Sequence, residues 1–145
     1  MNATYKRVEN DYSAVYTPPS DTIYTTQDYA TANPAYPQGA PSNLSDTLTQ
    51  DIQTRVRASF SDSRFAEAKA NGEILIIVAY IDSSGVLSEL EYVIPKSRIA
   101  TSILNESDFQ AIDQQLRGLQ LEVPPVFKDF TYFKYNFPFR FAKME

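Results

Sequence analysis

Residues Gly72 to Ile94, GEILIIVAYIDSSGVLSELEYVI, carry the strongest fold signal in the chain. From Glu73 to Ile81 the chain is Ile, Leu, Val, Ala and Tyr with almost no polar interruption. β-branched and aromatic side chains suit a pleated surface, and successive residues of a strand point to opposite faces. One face takes Ile74, Ile76, Val78 and Tyr80; the other takes Leu75, Ile77, Ala79 and Ile81. Apolar residues on both faces predict a central strand covered on both sides. A buried helix is the competing reading of a short apolar run; the β-branched residues and the turn that follows weigh against it. Asp82-Ser83-Ser84-Gly85 is turn chemistry, since Asp and Ser bond nearby backbone and Gly accepts a positive φ. Val86 to Ile94 then alternates. Val86, Ser88, Leu90, Tyr92 and Ile94 share one face, and Glu89 and Glu91 lie on the other, which should be wet. Pro95 lacks an amide donor and ends the ladder.

Working outward, Leu44, Leu48, Ile52, Val56 and Phe60 recur every four residues, one apolar stripe of a helix capped at Asn43 or Ser45. Asp51 and Arg55 form a favourable i, i+4 pair on it. Ser61-Asp62-Ser63 breaks or recaps that helix; the following RFAEAK is a last helical piece or the approach to the strand, and Asn71-Gly72 is the stop. Beyond the hairpin, Lys96-Ser97-Arg98 reads as a small basic loop. Ser107 and Gln110 fit a capping box, and Phe109, Ile112, Leu116 and Leu119 give a second helical stripe, spanning about Asp108 to Arg117 before Gly118. Leu119, Leu121 and Val123 suggest a short strand cut off by Pro124-Pro125.

The closing stretch, Phe127 to Phe141, is FKDFTYFKYNFPFRF. One strand face takes Phe133, Tyr135, Phe137, Phe139 and Phe141 and should be core. The other takes Phe130, Tyr132, Lys134, Asn136, Pro138 and Arg140 and should be partly exposed. Pro138 places this strand at a sheet edge or beside a bulge. Tyr132, Lys134, Asn136 and Arg140 are therefore the candidate binding residues, a mixed aromatic and cationic face for a peptide, a sugar ring or another strand.

Residues 1–43 differ in kind. They carry five of the prolines (Pro18, Pro19, Pro34, Pro37 and Pro41), six tyrosines (Tyr5, Tyr12, Tyr16, Tyr24, Tyr29 and Tyr36) and few aliphatics. Such a composition buries too little apolar surface to offset its ordering entropy. The expectation is a flexible tail or linker over 1–43 and a single domain over 44–145; the competing reading is that the tyrosines dock on the domain or on a partner. The fold class is then α+β: a small antiparallel sheet of three to four strands with two helices packed on one face, in the order α-β-β-α-β with an optional further β, preceded by an irregular amino-terminal segment.

Composition bounds the chemistry. The chain has 145 residues, a formal net charge of −5 and a sequence pI of about 4.7. That balance disfavours nucleic acid and anionic lipid, both of which select for Lys and Arg. There is no His, Cys or Trp, which removes the commonest general base, the thiolate nucleophile and Cys- or His-ligated metal. Neither catalytic residues, nor a metal site, nor a cofactor is expected. The first ten residues hold no hydrophobic signal region and no segment has the apolar length of a membrane span. A periplasmic or secreted location is expected if a signal has been removed, and a cytoplasmic one otherwise.

Gly72-Glu73-Ile74, then Val78-Ala79-Tyr80-Ile81-Asp82 with Gly85-Val86, Asp113 in a following helix, and Pro138-Phe139-Arg140-Phe141 together resemble the carboxyl-terminal domain of TonB-type energy transducers. That family pairs G-x-V-x-V-x-Φ-x-Ψ-D-x-x-G-x-V, with Φ and Ψ apolar, with a closing P-I-x-F. The resemblance covers about residues 65–141. Pro95-Lys96-Ser97-Arg98 stands where the family has Ser-Ser-Gly, and Leu119 to Pro125 where it has Trp-x-Phe-x-Pro. The resemblance implies a small α+β envelope domain that engages partners through sheet edges. The expected function is a non-enzymatic envelope or secreted interaction domain with a protein or glycan partner, a monomer or weak homodimer. The alternatives are a small-ligand carrier, a hydrolase using Glu89 and Glu91, and a self-assembling subunit. Side chains at i and i+2 on a strand lie about 7 Å apart, within the range of a two-carboxylate glycosidase.

Overall fold

The structure is a computed structural model and describes residues 5–19, 46–82, 84–121 and 132–144, with the side chains of 46–48 and 132–134 outside the description. It is α+β. Five strands form one antiparallel sheet: β1 (Lys6–Glu9), β2 (Ser13–Thr17), β3 (Ile74–Asp82), β4 (Leu87–Pro95) and β5 (Tyr132–Arg140), in the order β1-β2-β4-β3-β5. Four helices are described: α1 (Asp46–Ala58), α2 (Asp62–Ala70), a single turn α3 (Lys96–Ile99) and α4 (Glu106–Leu116). A 3-10 turn, Phe141–Lys143, follows β5.

The sheet is larger than the sequence reading allows, because its first two strands come from the segment expected to be a tail. Lys6 to Thr17 form a hairpin around Asn10, whose side chain accepts from the amides of Tyr12 and Ser13. β2 pairs with β4, with Ala14 opposite Ile94 and Tyr16 opposite Tyr92. The expectation of a flexible 1–43 is thus corrected for this hairpin. The tyrosines supply the contact that the scarce aliphatics cannot. Ala14 is buried, and Tyr5 and Tyr16 pack on Phe109 with ring centroids at 6.1 and 4.9 Å. Residues 20–43 lie outside the described residues.

The core sits between the sheet and one layer of helices. Ile52 and Val56 of α1, Phe65 and Ala68 of α2, and Phe109, Ile112 and Leu116 of α4 form one buried cluster with Leu75, Ile77, Ala79 and Ile81 of β3 and Phe137 and Phe139 of β5. Each large side chain so buried contributes about 1.5–3 kcal/mol. Tyr92 and Phe109 stack at 5.0 Å and 13°. Local signals position the helices. Ser61 caps α2 by accepting from the amide of Arg64, and Asp51 pairs with Arg55 at 3.2 Å. Gly72, with φ of 64°, turns the chain from α2 into β3.

Several boundaries move. The RFAEAK piece is helical, inside α2. Lys96-Ser97-Arg98 is a helical turn rather than a loop. The capping box of α4 starts two residues early: Asn105 accepts from the amides of Ser107 and Asp108, and Asp108 accepts from the amide of Asn105. Asn with Asp at the third helical position satisfies the same orphan donors as Ser with Gln. The strand expected after Gly118 is, over its described part, a single bridge between Gln120 and Val86.

Candidate functional site

The sheet has a second face, turned away from the helices. Register places on it Ile74, Ile76, Val78 and Tyr80 of β3, Glu89, Glu91 and Val93 of β4, Val15 and Thr17 of β2, Lys6 and Val8 of β1, and the even-numbered residues of β5. None of the helices described above contributes to its small cluster, which is Val78 and Tyr80 with Ile76 and Val93 against them.

All four predicted binding residues stand on this face, in one column along β5. Tyr132 is opposite Asp82, Lys134 opposite Tyr80, Asn136 opposite Val78 and Arg140 opposite Ile74. Asn136 and Arg140 are exposed, as is Pro138 between them, whereas Phe137 and Phe139 on the alternate positions are buried. The side chains of Tyr132 and Lys134 lie outside the description. Among the described strands, none pairs with the outer side of β5, so Pro138 sits where a missing amide donor is tolerated. The column does not converge: Asn136 and Arg140 are about 13 Å apart along the strand. It is a surface and not a pocket.

Glu89 and Glu91 correct the sequence reading. They share the second face, but that face is not wet there: Glu89 is 5% exposed and Glu91 8%. Glu91 accepts from the Tyr80 hydroxyl at 2.5 Å and the Thr17 hydroxyl at 3.2 Å. Tyr80 is itself fully buried, so two neighbouring strands supply donors that offset the cost of burying a carboxylate. So enclosed, the two carboxylates are not the solvated pair expected from the sequence. A bulge explains the misreading of β4. Tyr80 pairs with Glu89 but Ile81 pairs with Leu87, so Ser88 is the extra residue. Leu87 is thereby turned into the core, fully buried. The strict alternation drawn from Val86 could not register this.

Two further polar groupings belong to the scaffold. Glu73, 1% exposed, accepts from the Ser102 hydroxyl at 3.0 Å and the Ile103 amide at 2.6 Å. Arg64 donates to Asp108 through Nε at 3.2 Å and a terminal nitrogen at 2.8 Å, which raises the guanidinium pKa. Glu73 ties residues 102–103 to the start of β3, and Arg64 ties α2 to the first turn of α4. A cleft of about 600 Å³ lies between α1 and the carboxyl end, lined by Gln50, Gln53, Thr54, Arg57, Lys143 and Met144. Arg57 is already committed there, to the Phe60 carbonyl, the Asp62 carboxylate and the face of Phe65 at 4.1 Å. Among the described residues no group of His, Cys, Asp or Glu could hold a metal ion, and no helix is long and apolar enough to cross a membrane.

No family model matches the chain, and no curated protein does. A crystal structure of a DUF5043 family protein from Bacteroides uniformis is similar in fold, with a TM-score of 0.62. The two are 13% identical, and the likeness covers 94% of this chain and 91% of that one.

Proposed function

We propose that this protein is a non-enzymatic interaction domain, acting in the cell envelope or outside the cell, that binds a protein partner on the second face of its sheet beside β5. The observation that carries this is a row of apolar side chains over which none of the described helices lies. Val15, Val93 and Ile76 are only half-buried, Pro138 is exposed, and Val8 is 49% exposed. Contiguous apolar surface rimmed by polar residues marks sites of protein contact. Asn136 and Arg140 supply that rim, and Arg is enriched where partners bind tightly. The envelope location rests on the resemblance to TonB-type carboxyl-terminal domains.

The test is partner capture with the full chain, carried out beside Arg140→Glu and Lys134→Glu. Both substitutions fall on an edge strand, and Arg140 is exposed there, so its replacement should leave the fold intact. A saturable protein retained by the parent chain and lost from either variant supports the reading. Unchanged retention by both removes this face from consideration.

A further inference from the structure

We infer that the second face seats an acidic amphipathic helix of the partner, laid across the strands on the row Val8, Val15, Val93, Ile76 and Pro138. The inference rests on the protein-binding reading above and gives the partner's chemistry. The row is continuous by register: Val8 is opposite Val15, Val15 opposite Val93, Val93 opposite Ile76, and Ile76 opposite Pro138. Each residue comes from a different strand, so the row runs perpendicular to them. A partner strand aligned with the sheet would meet it at one point. Neighbouring strands are about 4.8 Å apart, so the five residues span about 19 Å. A helical turn rises about 5.4 Å. A helix of about 14 residues along the row therefore lays four apolar side chains, at i, i+4, i+7 and i+11, across the five strands.

Charge selects the partner. Lys6 flanks Val8 on β1 and Arg140 flanks Pro138 on β5, both exposed, at opposite ends of the row and on opposite sides of it. The acids of the same face are withdrawn. Glu89 and Glu91 are buried, and Asp82 accepts from the amides of Ser84 and Val86 in the β3–β4 turn. In a chain of net charge −5, the exposed charges described on these strand positions are thus positive. A helix carrying Asp or Glu beside its apolar stripe is complementary to them. A second copy of this chain offers, on the described positions of this face, no exposed acid to meet them.

The probes are three synthetic peptides of about 16 residues, followed by fluorescence anisotropy on the full chain. The first is helical, with Leu at i, i+4, i+7 and i+11 and flanking Glu. The second carries Lys in place of Glu. The third keeps the acidic composition but is broken by two prolines. The acidic helix should bind at least about tenfold more tightly than its Lys counterpart. Val8→Asp, and separately Lys6→Glu with Arg140→Glu, should each weaken it about tenfold with unchanged circular dichroism. Equal binding of the acidic and Lys helices, or binding untouched by both variants, overturns the inference. So does binding of the proline-broken peptide as tightly as the acidic helix, which would leave the protein-binding reading in place. If no peptide binds, the helical partner is excluded, and the broader reading then stands or falls on whether Arg140→Glu still retains the cellular partner.

Discussion

On the helix side of β3, Leu75, Ile77, Ala79 and Ile81 are fully buried; on the other side, Ile74 and Ile76 keep part of their surface in water while Val78 and Tyr80 do not. One strand thus has two faces with equally apolar sequence and different coverage. The helix side is closed by side chains from α1, α2 and α4 along its whole length. The other side is graded. It is closed at the Tyr80 end, where Glu91 takes hydroxyl donors from β3 and β2, and open at the Ile76 end, where valines and a proline reach the surface. The lesson is that residue type reports what a face could bury, whereas the neighbouring elements decide what it does bury. The open part is where an outside partner has something to gain.

This contrast can be broken by substitution. Phe109→Ala removes the ring that stacks on Tyr92 and meets Tyr5 and Tyr16, so the helix side loses its link to the amino-terminal hairpin. The expected loss is about 3–5 kcal/mol by chemical denaturation. A loss near 1 kcal/mol would mean that the helix layer is not what closes that face. Tyr80→Phe keeps the ring and deletes one donor to Glu91. About 1–2 kcal/mol should be lost, since a buried acceptor is left with less than its full set of donors. No change in midpoint would show that burial at that end does not depend on the hydroxyl.

The smallest effect belongs to the margin of the helix side, where Arg7 bonds the Tyr16 hydroxyl and pairs with Glu9 at 2.8 Å. The bond from Arg7, with Lys96 nearby, lowers the Glu9 pKa below its usual 4.5. A carboxylate with a lowered folded pKa adds stability above its unfolded pKa and loses it as pH falls through the folded value. Thermal midpoints of the parent and Arg7→Ala should therefore differ slightly at pH 7 and converge below pH 4.5. The difference should also shrink at high salt, because the pair is exposed. A gap that persists in acid would point to the Arg7–Tyr16 contact instead.

The hairpin 72–94, the α1 stripe through Ile52 and Val56, and the alternation of β5 were all legible in the sequence, because each is a local period with its burial on one side. What escaped depended on partners far along the chain. Val8 and Val15 look like stray aliphatics until β4 supplies the strand they join. Glu89 and Glu91 look solvated until Thr17 and Tyr80 come to meet them. The Ser88 bulge has no local signature, since its neighbours Leu87 and Glu89 fit either register. The column Tyr132, Lys134, Asn136 and Arg140 was placed on one face by alternation alone. The apolar row beside it, which needs the register of five strands, was not.

The first described strands must wait for a partner from the middle of the chain. β1 and β2 alone make a two-stranded hairpin, which is marginal in water. Their neighbour in the sheet, β4, follows only after α1, α2 and β3, and β5 joins from the far end of the chain. During synthesis the amino-terminal hairpin must wait, with Ala14 and Tyr16 uncovered, until β4 has emerged. Contacts this distant in sequence slow folding, so a pulse of hydrogen exchange during refolding should find the β2 amides protected after those of α4.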